Sequence, residues 1–172
     1  MQSLSAHLDG VSCCVQIDFS NKSWHTAAKI PSEAGWYFIR TDAPVEALRE
    51  QTLWATTYIK KKNSETANVN NFNIAERARR FSTDLSSYWN TSEVYSGMAA
   101  NLQARAREHT FADPGTGGLA LSRYPQLNQY EWLFGYFTLK RMCPNCSCKD
   151  MLLRLGEQLW RSKHRWPLLC AE

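Results

Sequence analysis

The run V-Y-S-G-M-A-A-N-L-Q-A-R-A-R-E-H, from Val94 to His109, constrains this chain more than any other stretch. A tyrosine and a glycine leave a short strand around Glu93–Ser96, and a helix follows over Ala99–Glu108. Asn101, Arg105 and His109 are spaced by four, which on a helix stacks them on one face. Leu102 and Ala106 then turn to the neighbouring side. A cation and a titratable imidazole beside an exposed tyrosine suit a site that holds and cuts a phosphate. Taken alone, an arginine and a histidine four apart are more often what a solvated helix surface carries.

Periodicity elsewhere gives a coarse order of elements. V-S-C-C-V-Q-I-D-F alternates loosely and is rich in β-formers, so a strand is expected near the N-terminus. Ser32–Gly35 reads as a turn, and Trp36 to Arg40 as a short buried strand presenting Tyr37. Asp42-Ala43-Pro44 reads as a helix start, with Asp42 as cap, proline in the first turn and Val45 to Thr52 continuing it. Almost sixty positions separate Tyr37 from Tyr95, too many for a plain loop. The stretch from Trp54 to Thr91 carries Lys60-Lys61-Lys62, a polar turn-like segment over Asn63–Asn73 and a predicted helix from Ile74 to Trp89. Asp113–Gly118 is a turn. Tyr130 to Leu139 is aromatic enough for a third, central strand. Lys149 to His164 predicts an amphipathic helix with Met151, Leu152, Leu155 and Leu159 inward.

Together these residues resemble the signature of the GIY-YIG nuclease superfamily. Tyr95, Gly97, Asn101, Arg105 and His109 fall on the second half of its pattern without a gap. Gly35-Trp36-Tyr37 looks like the first half. Glu157, in R-L-G-E-Q-L-W-R-S-K-H-R-W-P-L-L-C, fits the carboxylate of its late helix, ahead of a proline-bearing turn. The resemblance covers Gly35 to Cys170 and is interrupted by one long insertion.

The resemblance implies an α+β fold. Its core is a small three-stranded sheet, mixed and mainly antiparallel, flanked by helices. A long helical insertion would separate the first two core strands, and an extra strand would precede them. The chain reads as a single domain over 1–172, with 1–34 as an N-terminal extension and 41–92 as the insertion; this length suits one domain with a real core.

It also implies Mg²⁺- or Mn²⁺-dependent hydrolysis of DNA phosphodiesters, with Tyr37, Tyr95, Arg105, His109 and Glu157 as the catalytic set. Tyr37 would act as general base towards water and Tyr95 would position the water or the phosphate. Arg105 would fork phosphate oxygens, and His109 would hydrogen-bond a tyrosine or take up a proton. Glu157 would be the metal ligand. Two departures stand out. Met98 occupies the place where many members carry lysine, so Lys60–Lys62 or Arg107 would have to supply that charge. Cys170 stands where an asparagine is expected after Pro167.

A large insertion in so short a chain looks most like the type II restriction endonucleases of this superfamily. On that reading Lys60, Lys61, Lys62, Arg77, Arg79 and Arg80 contact DNA phosphates, and Asn101 joins them as a DNA contact. Asn68, Asn70, Asn71 and Asn73 could reach base edges. The partner would be double-stranded DNA, cut by a homodimer in which each subunit cleaves one strand. The alternatives are a repair, phage or mobile-element nuclease of looser specificity, and a catalytically silent DNA- or protein-binding module. Glu131 is a rival metal ligand.

Composition bears on this at three points. Lys and Arg number 20 against 16 Asp and Glu, a mildly basic balance that permits DNA without requiring it. Cys143, Cys146 and Cys148 form C-P-N-C-S-C, which reads either as half of a structural zinc site or as reduced thiols in a loop. A fourth zinc ligand would come from Cys13, Cys14 or His164. No apolar run approaches the roughly 20 residues of a membrane helix, and no secretory leader is visible, so a cytoplasmic protein without a disulfide framework is expected.

Overall fold

The structure, a computed structural model, describes residues 3–10, 12–55, 57–62, 65–80, 93–111, 117–145 and 147–170, with backbone alone over 58–62 and 65–69. Its centre is β2, Gly35–Thr41, whose sequence G-W-Y-F-I-R-T alternates large apolar groups on both faces. Strand side chains point alternately to opposite faces, and β2 is buried on both. Tyr37 and Ile39 join one core cluster with Phe134 and Trp132. Trp36 and Phe38 join a second with Phe137 and Trp160.

Four strands make the sheet, in the order β1-β6-β2-β5, and every neighbouring pair is antiparallel. The others are β1 (Cys13–Gln16), β5 (Glu93–Ala99) and β6 (Trp132–Thr138). The expected three-stranded core is therefore four-stranded, because the N-terminal strand pairs directly with β6. The α+β class stands as expected, and the mixed character does not.

Helices cover the two faces separately. α1 (Leu4–Leu8) and α7 (Lys149–His164) pack against each other, and α7 lies across β2 and β5. α2 (Trp24–Ala27) and α5 (Leu102–Phe111) pack together, with α5 against β2 on the Tyr37 face. A short α6, Leu139–Met142, follows β6. The inward face of α7 differs from expectation: Leu153, Gly156 and Trp160 are buried, while Met151 and Leu155 are 60% and 54% exposed. Leu152 and Leu159 are half-buried at the sides. Two apolar stripes share this helix, and the one carrying Trp160 prevails. Its ring stacks on Phe38 at 5.5 Å, and Leu153 C=O accepts the Trp36 indole N–H at 2.8 Å.

The connection between β2 and β5 is less helical than expected. α3 runs Val45–Arg49 with Pro44 as N-cap, and stops short of Thr52. Asp42 does not cap it; its Oδ1 accepts the backbone N–H of Glu131 at 2.7 Å, tying the end of β2 to the start of β6. Lys60–Lys62 lie on a strand, β3 (Thr57–Lys62), which pairs with β4 (Glu65–Asn70) as an antiparallel hairpin. The stretch over Asn63–Asn73 was too polar to read as a strand, yet Thr66 and Val69 supply the β-branched residues that pairing favours. α4, Ile74–Arg79, starts where expected, capped by the Asn73 side chain, which accepts Glu76 N–H at 3.1 Å. The expected continuation to Trp89 falls outside the described residues. Among the described residues no helix is long and apolar enough to cross a membrane.

Candidate active site

β2 places Tyr37 directly opposite Gly97 of β5. Its ring crosses the glycine: a Cβ there would sit 2.5 Å from the Tyr37 hydroxyl, so any side chain would displace the phenol. The hydroxyl then meets α5. Arg105 Nε donates to it at 3.0 Å, and His109 Nε2 lies 2.9 Å away. The remaining imidazole nitrogen, Nδ1, accepts the backbone N–H of Leu119 at 3.2 Å. That bond fixes the tautomer of the neutral ring, since an accepting Nδ1 leaves the proton on Nε2. The Tyr37 oxygen thus faces two N–H donors. Gly118 permits the close approach, because a Cβ there would meet Glu108 C=O at 2.2 Å.

Tyr95 stacks on Tyr37 with ring centroids 6.3 Å apart and lies 4.9 Å from the His109 ring. Arg105 is held at its other end by Glu108, 2.8 Å from Nη1. Burial pushes the Tyr37 phenol well above its ordinary range; Tyr95 adds to this and Arg105 opposes it. Burial also pushes Tyr95 up. His109 is fully buried, and desolvation followed by the Arg105 charge drives it well below the usual imidazole range. Of its two expected roles, hydrogen bonding to a tyrosine is the one this geometry suits. Desolvation opposes taking up a proton.

Glu157 arrives from α7 and lines a tight gap with Trp36, Tyr37, Phe38, Ser96, Gly97, Phe137 and Trp160 that has no room for a water. It is no ordinary surface residue. Arg161 Nη2 donates to its Oε1 at 2.6 Å, and the two side chains are 11% and 16% exposed for Arg161 and Glu157. Arg161 in turn donates from Nε to Ser96 Oγ and from Nη2 to Ser96 C=O, each at 3.0 Å. The C-terminal turn completes this edge of β5. Leu169 N–H donates to Val94 C=O at 2.9 Å, Cys170 Sγ accepts Ser96 N–H at 3.3 Å, and the thiol donates to Ser96 C=O at 3.3 Å. An asparagine side chain, with an acceptor oxygen and a donor amide group, could make the same pair of bonds. Cys170 therefore performs locally what the expected asparagine could. Burial raises its thiol pKa.

Other expected site residues sit differently. Asn101 leaves the polar stripe, because α5 begins at Leu102 and the Asn101 Oδ1 turns back onto Ala104 N–H at 2.9 Å as a cap. β5 likewise runs on to Ala99 where Ser96 was the expected end. Asn71 donates its side-chain amide to Ala55 C=O at 2.8 Å, and Asn73 caps α4, so each side chain already has one bond to the backbone. Asn70 is exposed at the end of β4. The side chains of Lys60, Lys61, Lys62 and Asn68 lie outside the described residues. Arg79 and Arg80 are exposed, and Arg80 reaches Glu76 at 3.4 Å. Arg77 is half-buried over the Phe72 ring, which packs edge-on against Tyr95 at 5.9 Å.

For metals, Glu157 supplies one hard oxygen donor of the kind Mg²⁺ or Mn²⁺ takes, but Arg161 already holds its Oε1, and the gap it lines with Trp36, Phe38, Phe137 and Trp160 has no room for a water. Glu131, the rival, is exposed at the start of β6. Among the described residues no group of three or more His, Cys, Asp and Glu comes together. Cys13 and Cys14 are exposed on β1, and His164 stacks on Trp160 at 4.6 Å. Cys146 is outside the described residues, so the zinc reading of Cys143, Cys146 and Cys148 lies there too.

Ser96, Leu119 and Arg161 were not singled out from sequence as parts of the site, whereas Cys170 was marked as standing in the place of an expected asparagine. Arg161, four after Glu157, carried the one available signal, and that spacing usually marks a surface pair. No family model, curated protein or solved structure matches this chain.

Proposed function

We propose that this protein is a Mg²⁺- or Mn²⁺-dependent DNA endonuclease of the GIY-YIG type. The observation that carries the reading is the clasp on Tyr37, with Arg105 Nε and His109 Nε2 converging on one phenolic oxygen. A clasp of two donors favours the ionised form of the group it holds. A tyrosine so held is suited to take a proton from the attacking water, whose oxygen bonds to phosphorus as the P–O bond to the leaving strand breaks.

Burial works against ionising Tyr37. Arg105 offsets part of that, and a divalent cation at Glu157 would add positive charge and neutralise the phosphate. Arg105 is committed to Tyr37 through Nε and to Glu108 through Nη1. Its Nη2 makes only a long, 3.5 Å bond to Gly117 C=O, which a phosphate oxygen could replace. Tyr95, stacked beside Tyr37, would orient that phosphate.

The finer reading is a sequence-specific restriction-type enzyme, cutting duplex DNA as a homodimer. Its support is the hairpin β3–β4 with α4, placed between the two tyrosine strands and bearing Lys60–Lys62, Arg77, Arg79 and Arg80. A repair, phage or mobile-element nuclease would use the same site with looser choice of sequence. A catalytically silent DNA-binding module is favoured by one observation: Glu157 is already neutralised by Arg161.

Cleavage of plasmid and phage DNA in Mg²⁺, native chain against Glu157→Ala, tests the proposal. Discrete bands that vanish in the variant support a sequence-specific nuclease. A smear that vanishes keeps the nuclease and removes the restriction reading. No cutting by the native chain over a range of DNAs and divalent metals leaves the binding module.

A further inference from the structure

A cavity of a different kind opens at the β1 edge of the sheet, where α1 and α6 meet β1 and β6. Its volume is about 90 Å³, and a single water needs roughly 10–15 Å³, so a tetrahedral oxyanion has room. Among the described residues that line it, Arg141 carries the one permanent charge and none is a carboxylate. Asp9, the acid nearest in sequence, is committed to Lys163, whose Nζ donates to its two oxygens at 2.9 and 2.6 Å. Cys13 and Tyr136 lie opposite each other across β1 and β6 and, with Thr138, bring S–H and O–H donors to the lining.

His7 contributes the opposite polarity. Its Nε2 donates to Thr138 C=O, 3.2 Å away, because a carbonyl only accepts. Burial disfavours the charged ring and the Arg141 charge adds to this, so the imidazole is neutral and its Nδ1 is an acceptor. No described residue hydrogen-bonds that Nδ1, and it is not sealed from solvent, so it can meet what enters the cavity.

A guanidinium fork suits an oxyanion, and the acceptor asks for an anion that also donates. Inorganic phosphate keeps one P–O–H near neutral pH, whereas sulfate keeps none. The geometry points to a binding site for free inorganic phosphate, held by Arg141 and giving its remaining proton to a hydrogen bond with His7 Nδ1. The site is built on β1 and β6, apart from the Tyr37 clasp, and does not rest on the nuclease reading.

The test is calorimetric titration of the full chain at pH 7 with inorganic phosphate, sulfate and thymidine 5′-monophosphate. Native protein is compared with Arg141→Gln, Arg141→Lys and a control, Arg154→Gln, on the exposed side of α7. Arg141 is exposed, so its replacement spares the fold, which circular dichroism melting checks. One phosphate per chain is expected, weakened by about 10–100-fold in Arg141→Gln, the worth of a charge-assisted bond. Arg141→Lys loses less, since lysine keeps the charge without the fork, and Arg154→Gln binds as the native chain does. Sulfate binds more weakly than phosphate, and so does the monoester, which at this pH is mostly without a P–O–H. No phosphate binding by the native chain, native binding in Arg141→Gln, or an equal loss in Arg154→Gln overturns the site. Sulfate bound as tightly as phosphate overturns the part given to His7. Tighter binding of the monoester assigns the cavity to a phosphorylated molecule and overturns free phosphate as its ligand.

Discussion

The two halves of the candidate site are built on different principles. On one face of the sheet, Tyr37 is clasped by Arg105 and His109, which sit four apart on one helix. At the edge of β5, Glu157 is held by Arg161, which depends on Ser96 from a distant strand and on Cys170 from the C-terminal turn. The first half has no ion pair on its central oxygen: burial disfavours charge on both the Tyr37 phenol and the His109 imidazole, and Arg105 partly offsets this for Tyr37. The second is a largely buried ion pair, where breaking one partner leaves the other uncompensated. A helix face can be read from local spacing, whereas a cradle assembled from a strand, a helix and a C-terminal turn cannot.

Substitutions that strip one half and spare the other sharpen this contrast. Tyr37→Phe removes the oxygen that both donors share and keeps the ring against Phe134, 5.3 Å away. Cleavage should fall by about 10²–10⁴-fold, the usual worth of a positioned acid or base, with the fold retained; single-turnover cleavage beside a melting curve measures both. Trp160→Ala acts on the other half by loosening α7 from Phe38. A cost of about 3–5 kcal/mol is expected for losing a buried tryptophan, read from urea unfolding, and Glu157 should lose its place with the helix.

Acid should weaken the clasp first. His109 takes a proton near pH 6.5 when unfolded but only at much lower pH when folded, so the unfolded chain binds more protons in that window. Stability is therefore full above about pH 6.5 and falls below it, by up to about 1.4 kcal/mol per pH unit, until the folded pKa is reached. His7 is shifted the same way by burial and adds to the slope. A His109→Phe variant, followed by urea unfolding from pH 7.5 to 5, should lose the larger part of it. An unchanged slope would move the effect to His7. The smallest effect belongs to Cys170→Asn. An amide can repeat both bonds to Ser96, so stability should change by less than about 1 kcal/mol, whereas Cys170→Ala should cost about 1–3 kcal/mol by leaving the Ser96 backbone N–H unpaired. Equal losses in both variants would remove the equivalence of thiol and amide.

The same contrast explains what the sequence disclosed. The tyrosine strands, the α5 face with Arg105 and His109, the aromatic strand β6 and the extent of α7 all follow from local period and residue type. Asn101 was misplaced because its spacing fits a helix face while its side chain prefers the cap, a competition that spacing alone does not resolve. Met151 and Leu155 looked inward because α7 carries two apolar stripes, and only the position of Phe38 in the sheet selects Trp160. The pairing of β1 with β6 links residues over a hundred positions apart. The hairpin β3–β4 was concealed by lysines and asparagines, which are poor strand formers that cross-strand pairing overrides.

The most direct test of the account is cleavage of one supercoiled plasmid in Mg²⁺ by native chain, Tyr37→Phe and Glu157→Ala side by side, each first shown to melt like the native protein. Cutting by the native chain, with both variants silent, is the expected result, since each removes one half of a single site. Native-rate cutting by either folded variant would contradict it, because the half that was removed would then have no part in the chemistry.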